Sequence, residues 1–211
     1  MRDVLTAWEG IAAQAIASRG RFVVALSGGK TPADLYRFLA AHVPAQVWDK
    51  THIFLADERL VEKDHPDSNF RFIKENLVGR IASATPQLYP ATVEYEQTLK
   101  DFFGRQLPVF DLIVLGLGED GHTASLFPGD AALNVTDHWT AVVQRGDHPR
   151  ITLTLPVINR AEHVFFVVLG ESKRAVLQKF FAGEEKLPAV RVRPAQGQVK
   201  VFTNLQEMER I

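Results

Sequence analysis

The sequence predicts an α/β fold: a doubly wound, mainly parallel Rossmann-like sheet with helices on both faces. Three observations predict it. Short strand-like runs such as FVVAL and HVFFVV are apolar throughout rather than alternating, the pattern of strands covered on both sides. Amphipathic helical patterns separate these runs, and a glycine turn joins the first strand to a helix.

The elements can be justified in order. MRDVLTAWEGIAAQAIASRG places apolar residues at helical spacing and lacks a basic start followed by an apolar run, so it reads as a helix and not a signal peptide. In RFVVALSGGKTPADLYRFLAAH a β-branched strand, Phe22 to Leu26, passes through glycines into a helix with Leu35, Phe38 and Leu39 on its apolar face. Thr31 and Pro32 mark that helix start, through hydroxyl capping and a pre-set φ. THIFLA, FDLIVLG, TAVV, ITLTL and HVFFVVLG repeat the strand pattern, interleaved with helices at SNFRFIKENL, VEYEQTLKDFFGR and ESKRAVLQKFFAG. The loops EKDHPDSN and RGDHPR carry the densest turn signals and are expected on the ligand side. No repeat, low-complexity segment or linker divides the chain, so residues 1–211 read as a single domain.

Composition narrows the function. With 46% apolar and 23% charged residues the chain can bury a sizeable core, and its net charge of −1 argues against a nucleic-acid or anionic-membrane partner held by overall field. An anionic small molecule must then be caught by local basic groups. No apolar run approaches the roughly 20 residues of a membrane span. The absence of cysteine rules out disulfides, thiolate metal sites and a cysteine nucleophile, and fits a reducing cytoplasm.

Three segments offer chemistry. In LSGGKTP, the backbone of Gly28, Gly29 and Thr31 with the charge of Lys30 can cradle a phosphate near a helix start; the alternative is a tight turn, and the spacing is not that of a Walker loop. In ADER, Asp57, Glu58 and Arg59 follow an apolar strand, where ligand sites of open sheets gather. Arg59 suits a phosphate or carboxylate and Asp57 suits sugar hydroxyls; the alternative is a loop ion pair beside a helix capped by Ser68 or Asp67. GLGEDG matches the dinucleotide fingerprint, but Glu119 and Asp120 would face a pyrophosphate with carboxylates, and Asp137 is a poor match for the later acidic residue.

That third loop has a second use. His122 can act as a general base near neutral pH if Asp120 fixes its tautomer, against the alternative of a capped polar histidine. Arg150 and Lys173 are further basic candidates; Lys173 lies in the first turn of a helix, where a cation is unfavourable unless an anion is near. The remaining six histidines show no H-x-x-x-H spacing, so no catalytic metal is suggested. Ser27 and Ser125 lack the nucleophile elbow and read as turn or cap residues.

Taken together, LSGGKTPADLY, FLADERLVEKDHPDSNF, LGLGEDGHTASLFPG, RITLTLPVIN and VVLGESKRAVL closely resemble, in this order, the motifs of 6-phosphogluconolactonases, within the superfamily shared with glucosamine-6-phosphate deaminases. The resemblance runs from Arg21 to Ala182. It implies hydrolysis of 6-phospho-D-glucono-1,5-lactone to 6-phosphogluconate in the oxidative pentose phosphate pathway, by a hydrolase without cofactor or metal. It also implies phosphate binding at Gly28, Gly29, Lys30 and Thr31 with Arg59 and Lys173, His122 as base supported by Asp120, and Asp57 and Arg150 as further pocket members. The deaminase loop resembles DGHIAFNEP, with a glutamate for sugar-ring opening, whereas DGHTASLFP has Phe127 there. A lactone needs no such step. The alternatives are a non-catalytic sugar-phosphate sensor and, less favoured, the deaminase; oligomeric state is open, a monomer included. Two departures stand out: Lys30 replaces a common serine, and VKVFTNLQEM replaces a W-x-x-D-like pattern, which leaves the packing around Phe202 and Asn204 open.

Overall fold

The structure is a computed structural model that describes residues 1–29 and 31–205. The chain forms α1 (Arg2–Arg19), β1 (Phe22–Leu26), α2 (Ala33–His42), α3 (Ala45–Trp48), β2 (Thr51–Leu55), β3 (Asp57–Arg59), α4 (Asn69–Asn76) and β4 (Gln87–Leu88). Then follow α5 (Tyr95–Phe103), β5 (Leu112–Leu115), β6 (Thr140–Val143), β7 (Arg150–Leu153), α6 (Leu155–Ile158), β8 (His163–Val168), α7 (Arg174–Phe181) and β9 (Gln198–Thr203).

Six strands form a parallel sheet in the order β4-β2-β1-β5-β8-β9. The chain steps from β1 outward through β2 to β4, then returns to the other side of β1 and steps outward again. Right-handed crossovers in the two directions place helices on opposite faces, which is why β1 and β5 are buried along their whole length. The edge strand β9 is half-buried instead. Aromatic contacts tie the layers together: Trp8 of α1 meets Phe22 and Trp48, Tyr36 of α2 meets Phe72 of α4, and Phe54 of β2 stacks on Tyr89 at 4.3 Å beside Phe102 and Phe110.

Two of the expected strands belong elsewhere. Thr140–Val143 and Arg150–Leu153 pair antiparallel with each other, and Arg150–Leu153 also pairs antiparallel with β3, in a second sheet, β3-β7-β6. The change of sheet takes place at one residue. Ala56 N donates to Leu26 O at 2.9 Å, continuing the parallel ladder, while Ala56 O accepts from Leu153 N at 2.9 Å. Thr31 does not cap α2; Pro32 occupies that position and no side chain caps it. Ser68 does cap α4, accepting from Arg71 N at 3.2 Å. At the C-terminal end Phe202 packs edge-on against Phe165 at 4.9 Å, and Asn204 Oδ1 accepts from Gly170 N at 3.0 Å, so VKVFTN closes the sheet without the family-like tryptophan. The rest of that segment, from residue 206 onward, lies outside the described residues.

Candidate active site

The order of the parallel sheet reverses between β1 and β5, so the loops leaving their C-terminal ends diverge and open a crevice there. A cleft of about 210 Å³ occupies it, bounded by Ser27 to Gly29 and Thr31 after β1, by Gly116 to Gly118 and His122 to Ala124 after β5, by Asp57, Arg59 and Asn69, and by Arg150 and Lys173. Apart from Asp120, which reaches the cleft through His122, Glu58, which does not line it, and Lys30, which lies outside the described residues, every expected site residue lines it.

The first loop is shaped by close approach. A Cβ on Gly28 would lie 1.9 Å from Asn69 Oδ1, and Gly29 adopts φ 101°, so glycine is required at one position by space and at the next by backbone conformation. Tyr36 Oη donates to Ser27 O at 2.6 Å and anchors the loop to α2. Burial, with the nearby Asp57 charge, raises the Tyr36 pKa far above the phenol range, keeping it a donor.

The second loop is no dinucleotide cradle, because β5 is followed by a turn and not by the helix whose N-terminus such a cradle needs. Gly118 N donates to His122 O at 2.8 Å and Gly121 N to Gly118 O at 3.0 Å, with Gly121 at φ 83°. This turn folds the imidazole over Gly118, where any Cβ would sit 2.1 Å from His122 Nδ1. Asp120 Oδ1 lies 2.5 Å from His122 Nδ1 and also accepts from His122 N at 3.1 Å. Partial burial pushes the Asp120 carboxyl up, but the two hydrogen bonds from His122 outweigh it and hold the group below the ordinary carboxylate value. An ionised Asp120 at Nδ1 selects the tautomer with its proton there, leaving Nε2 to accept one. The ring of Phe127 lies against His122 at 4.5 Å and 34°, covering one side of the imidazole.

The cationic wall comes from the second sheet. Arg59 of β3 stands directly opposite Arg150 of β7, an arrangement of like charges that costs stability unless something anionic lies between or beside them. Asp147 Oδ2 takes up part of it, accepting from Arg150 Nη2 at 2.7 Å. Arg59 is held by neutral acceptors, Asp67 O at 2.8 Å and Asn69 Oδ1 at 3.1 Å, and not by the loop ion pair its neighbours suggest. The Nε atoms of both arginines are buried without a hydrogen-bond partner among the described residues. Lys173, just before α7, pairs with no carboxylate among the described residues.

Asp57 and Glu58 do work the sequence does not separate. Asp57 lines the cleft but is buried, with Oδ2 accepting from Ser125 Oγ at 2.6 Å, so the carboxylate locks the histidine loop to β3. Glu58 faces away from the cleft wall and accepts from Arg59 N, Asn69 N and Phe70 N, each at 2.7 Å, and from Ser68 Oγ at 3.1 Å. It serves as the anionic cap of α4; burial raises its pKa despite those donors. Asn69 was not anticipated. Its Nδ2 donates to Asp57 O at 2.8 Å while Oδ1 accepts from Arg59, so it fixes both residues; its place in DSN beside a strand-end ADER is the only signal in the sequence.

A crevice at the switch point of a parallel sheet, with glycine amides, facing cations and an aspartate-supported histidine, defines an α/β protein with a cationic switch-point cleft. Residues 1–201 match the family model described as glucosamine-6-phosphate isomerases/6-phosphogluconolactonase, and the chain belongs to that family. Within it, the chain is 42% identical over 202 residues to a 6-phosphogluconolactonase of a Synechocystis species, covering 88% of this chain and 83% of the relative. It is 44% identical over 182 residues to that of a Nostoc species, covering 80% and 75%. The crystal structure of 6-phosphogluconolactonase from Thermotoga maritima superposes with a TM-score of 0.80 at 30% identity, over 96% of this chain and 94% of that one.

Proposed function

We propose that this chain hydrolyses 6-phospho-D-glucono-1,5-lactone to 6-phosphogluconate, the lactone-opening step of the oxidative pentose phosphate pathway. One observation carries the reading: a histidine oriented by a carboxylate shares a small cleft with an anion-binding loop and two facing arginines. The lactonase relatives at 42–44% identity support it, and Phe127 supports lactone over amino-sugar chemistry by replacing the ring-opening acid.

In this mechanism the 6-phosphate rests on the amides of Gly28, Gly29 and Thr31, with charge from Arg59, Arg150, Lys173 and Lys30. His122 Nε2 takes a proton from water, which attacks the lactone carbonyl carbon. The resulting tetrahedral oxyanion collapses, the bond from that carbon to the ring oxygen breaks, and the imidazolium returns the proton to the departing oxygen. Asp120 holds the ring and stabilises the imidazolium. Asp57 serves the pocket through Ser125 and Asn69, and orders it for the sugar. The substrate is the only partner the reading requires, and a cysteine-free chain suits the cytoplasm. Among the described residues no helix is long and apolar enough to cross a membrane.

The test is acid release from freshly generated lactone, measured above spontaneous hydrolysis. Wild-type acceleration is expected, with a loss of about 10²- to 10⁴-fold in His122→Ala at retained fold and phosphosugar binding. Wild-type rates in the variant remove His122 from the mechanism. Tight phosphosugar binding without acceleration makes the chain a sensor, and ammonia release from glucosamine 6-phosphate makes it a deaminase.

A further inference from the structure

Outside the cleft, the two turn-rich loops bring together side chains that stand 83 positions apart at their extremes, His65 and Asp67 after β3 and His148 before β7. One ligand-type atom from each lies within 4.8 Å of the others: Asp67 Oδ2 is 3.1 Å from His148 Nε2 and 3.8 Å from His65 Nδ1. The two imidazoles meet edge to face at 5.3 Å. Their supports are built independently of the cluster. Leu60 N donates to Pro149 O at 2.8 Å and joins the loops; His65 N donates to Glu62 O at 2.9 Å and Ser68 N to His65 O at 3.0 Å, winding the first loop into consecutive turns.

We propose that His65, Asp67 and His148 form a site for a divalent transition-metal ion of the zinc class that staples these two loops. The donor set is chemically specific. Two neutral imidazoles and one carboxylate suit zinc, nickel or cupric ions, and lack the oxygen ligands magnesium or calcium demand. The spacing is close to what tetrahedral coordination requires, since ligands about 2.0–2.1 Å from zinc lie roughly 3.3 Å from one another. His65 Nδ1 accepts from Asp67 N at 3.1 Å, so it is already the unprotonated nitrogen. Coordination exchanges that hydrogen bond for a metal bond, and the proton shared between His148 Nε2 and Asp67 is released to solvent or moves to His148 Nδ1. Water completes the shell on the exposed side.

The consequence is mechanical rather than catalytic. Asp67 O holds Arg59, Asn69 follows two residues later, and Arg150 follows His148 by two, so the staple fixes the loops that carry the cleft's cationic wall. No step of the lactone chemistry passes through it.

Calorimetric titration of the intact, chelator-treated chain with zinc chloride, paired with thermal unfolding, tests the site. One zinc per chain and a raised Tm are expected, with no comparable rise from magnesium chloride. His148→Gln, His65→Gln and Asp67→Asn should each weaken zinc binding by at least about tenfold, while retaining the wild-type circular dichroism. His138→Gln, whose ring meets Glu96 and Asp137 and is no member of the cluster, should bind as the wild type does. No zinc uptake by the wild type, equal affinity in the triple variant, or an equal response to magnesium would each overturn the proposal.

Discussion

His122 and Asp120 show how much two side chains depend on a glycine beside them. The imidazole occupies the space a Cβ on Gly118 would fill, so Gly118→Ala should displace the proposed base and lower kcat while the Gly28–Gly29 loop is untouched and KM changes little. Asp120→Asn should lower kcat by at least about tenfold, because an amide no longer selects the reactive tautomer. The same variant has a pH signature. The folded-state pKa of Asp120 lies below the ordinary value near 4, so its stabilisation is present above that value and is lost as pH falls through the lowered one. Urea midpoints compared at about pH 7 and about pH 3 should therefore differ less in Asp120→Asn than in the wild type, by a modest margin since this carboxylate is half exposed. At Gly28 the expected cost is steric: a methyl group collides with the held Asn69, and Gly28→Ala should cost about 1–3 kcal/mol in urea unfolding and raise KM.

Among elements, the short strand β3 carries most of the site's organisation, although its three residues look alike as a charged loop. Alternation along the strand separates them: Asp57 and Arg59 line the cleft, and Glu58 turns to the amides at the start of α4. Removing that cap in Glu58→Ala leaves buried donors unpaired and should destabilise the fold by about 2 kcal/mol, read as a shift of the urea midpoint. Glu58→Gln keeps an acceptor and should lose less. The position of ADER after an apolar strand was enough to place Asp57 and Arg59 at the cleft, because clefts of open sheets gather at strand ends. The division of labour was not legible, since it depends on the pairing of β3 with β7. The strand runs TAVV and ITLTL were likewise visible as strands by their β-branched content, while their antiparallel sheet was not, because periodicity records which faces are buried and not which strand lies alongside.

At the scale of the whole molecule, one apolar cluster runs beneath both sheets, from Trp8 through Phe54 and Leu115 to Leu153 and Phe166. We infer a single cooperative unit, and expect fluorescence and circular dichroism to report one coincident unfolding transition in urea. Two separated transitions would divide the chain into domains. Phe54→Ala, at the centre of four aromatic contacts, should cost about 3–5 kcal/mol without altering the cleft's residues.

The sequence by itself determined the α/β class and the glycine turns after two strands, and it named the histidine, aspartates and cations that line or support the cleft, because these follow from local chemistry: apolar runs, φ requirements and side-chain type. Tertiary structure decided everything that needs two distant segments in one place. It set Arg59 against Arg150, lodged Asn69 against Gly28, tied Asp57 to Ser125 and brought His148 to His65 and Asp67. Spacing along the chain could not reveal those histidines as neighbours. Their proximity arises from two loops joined at the rim of a second sheet, a relation that exists only once the strands have paired.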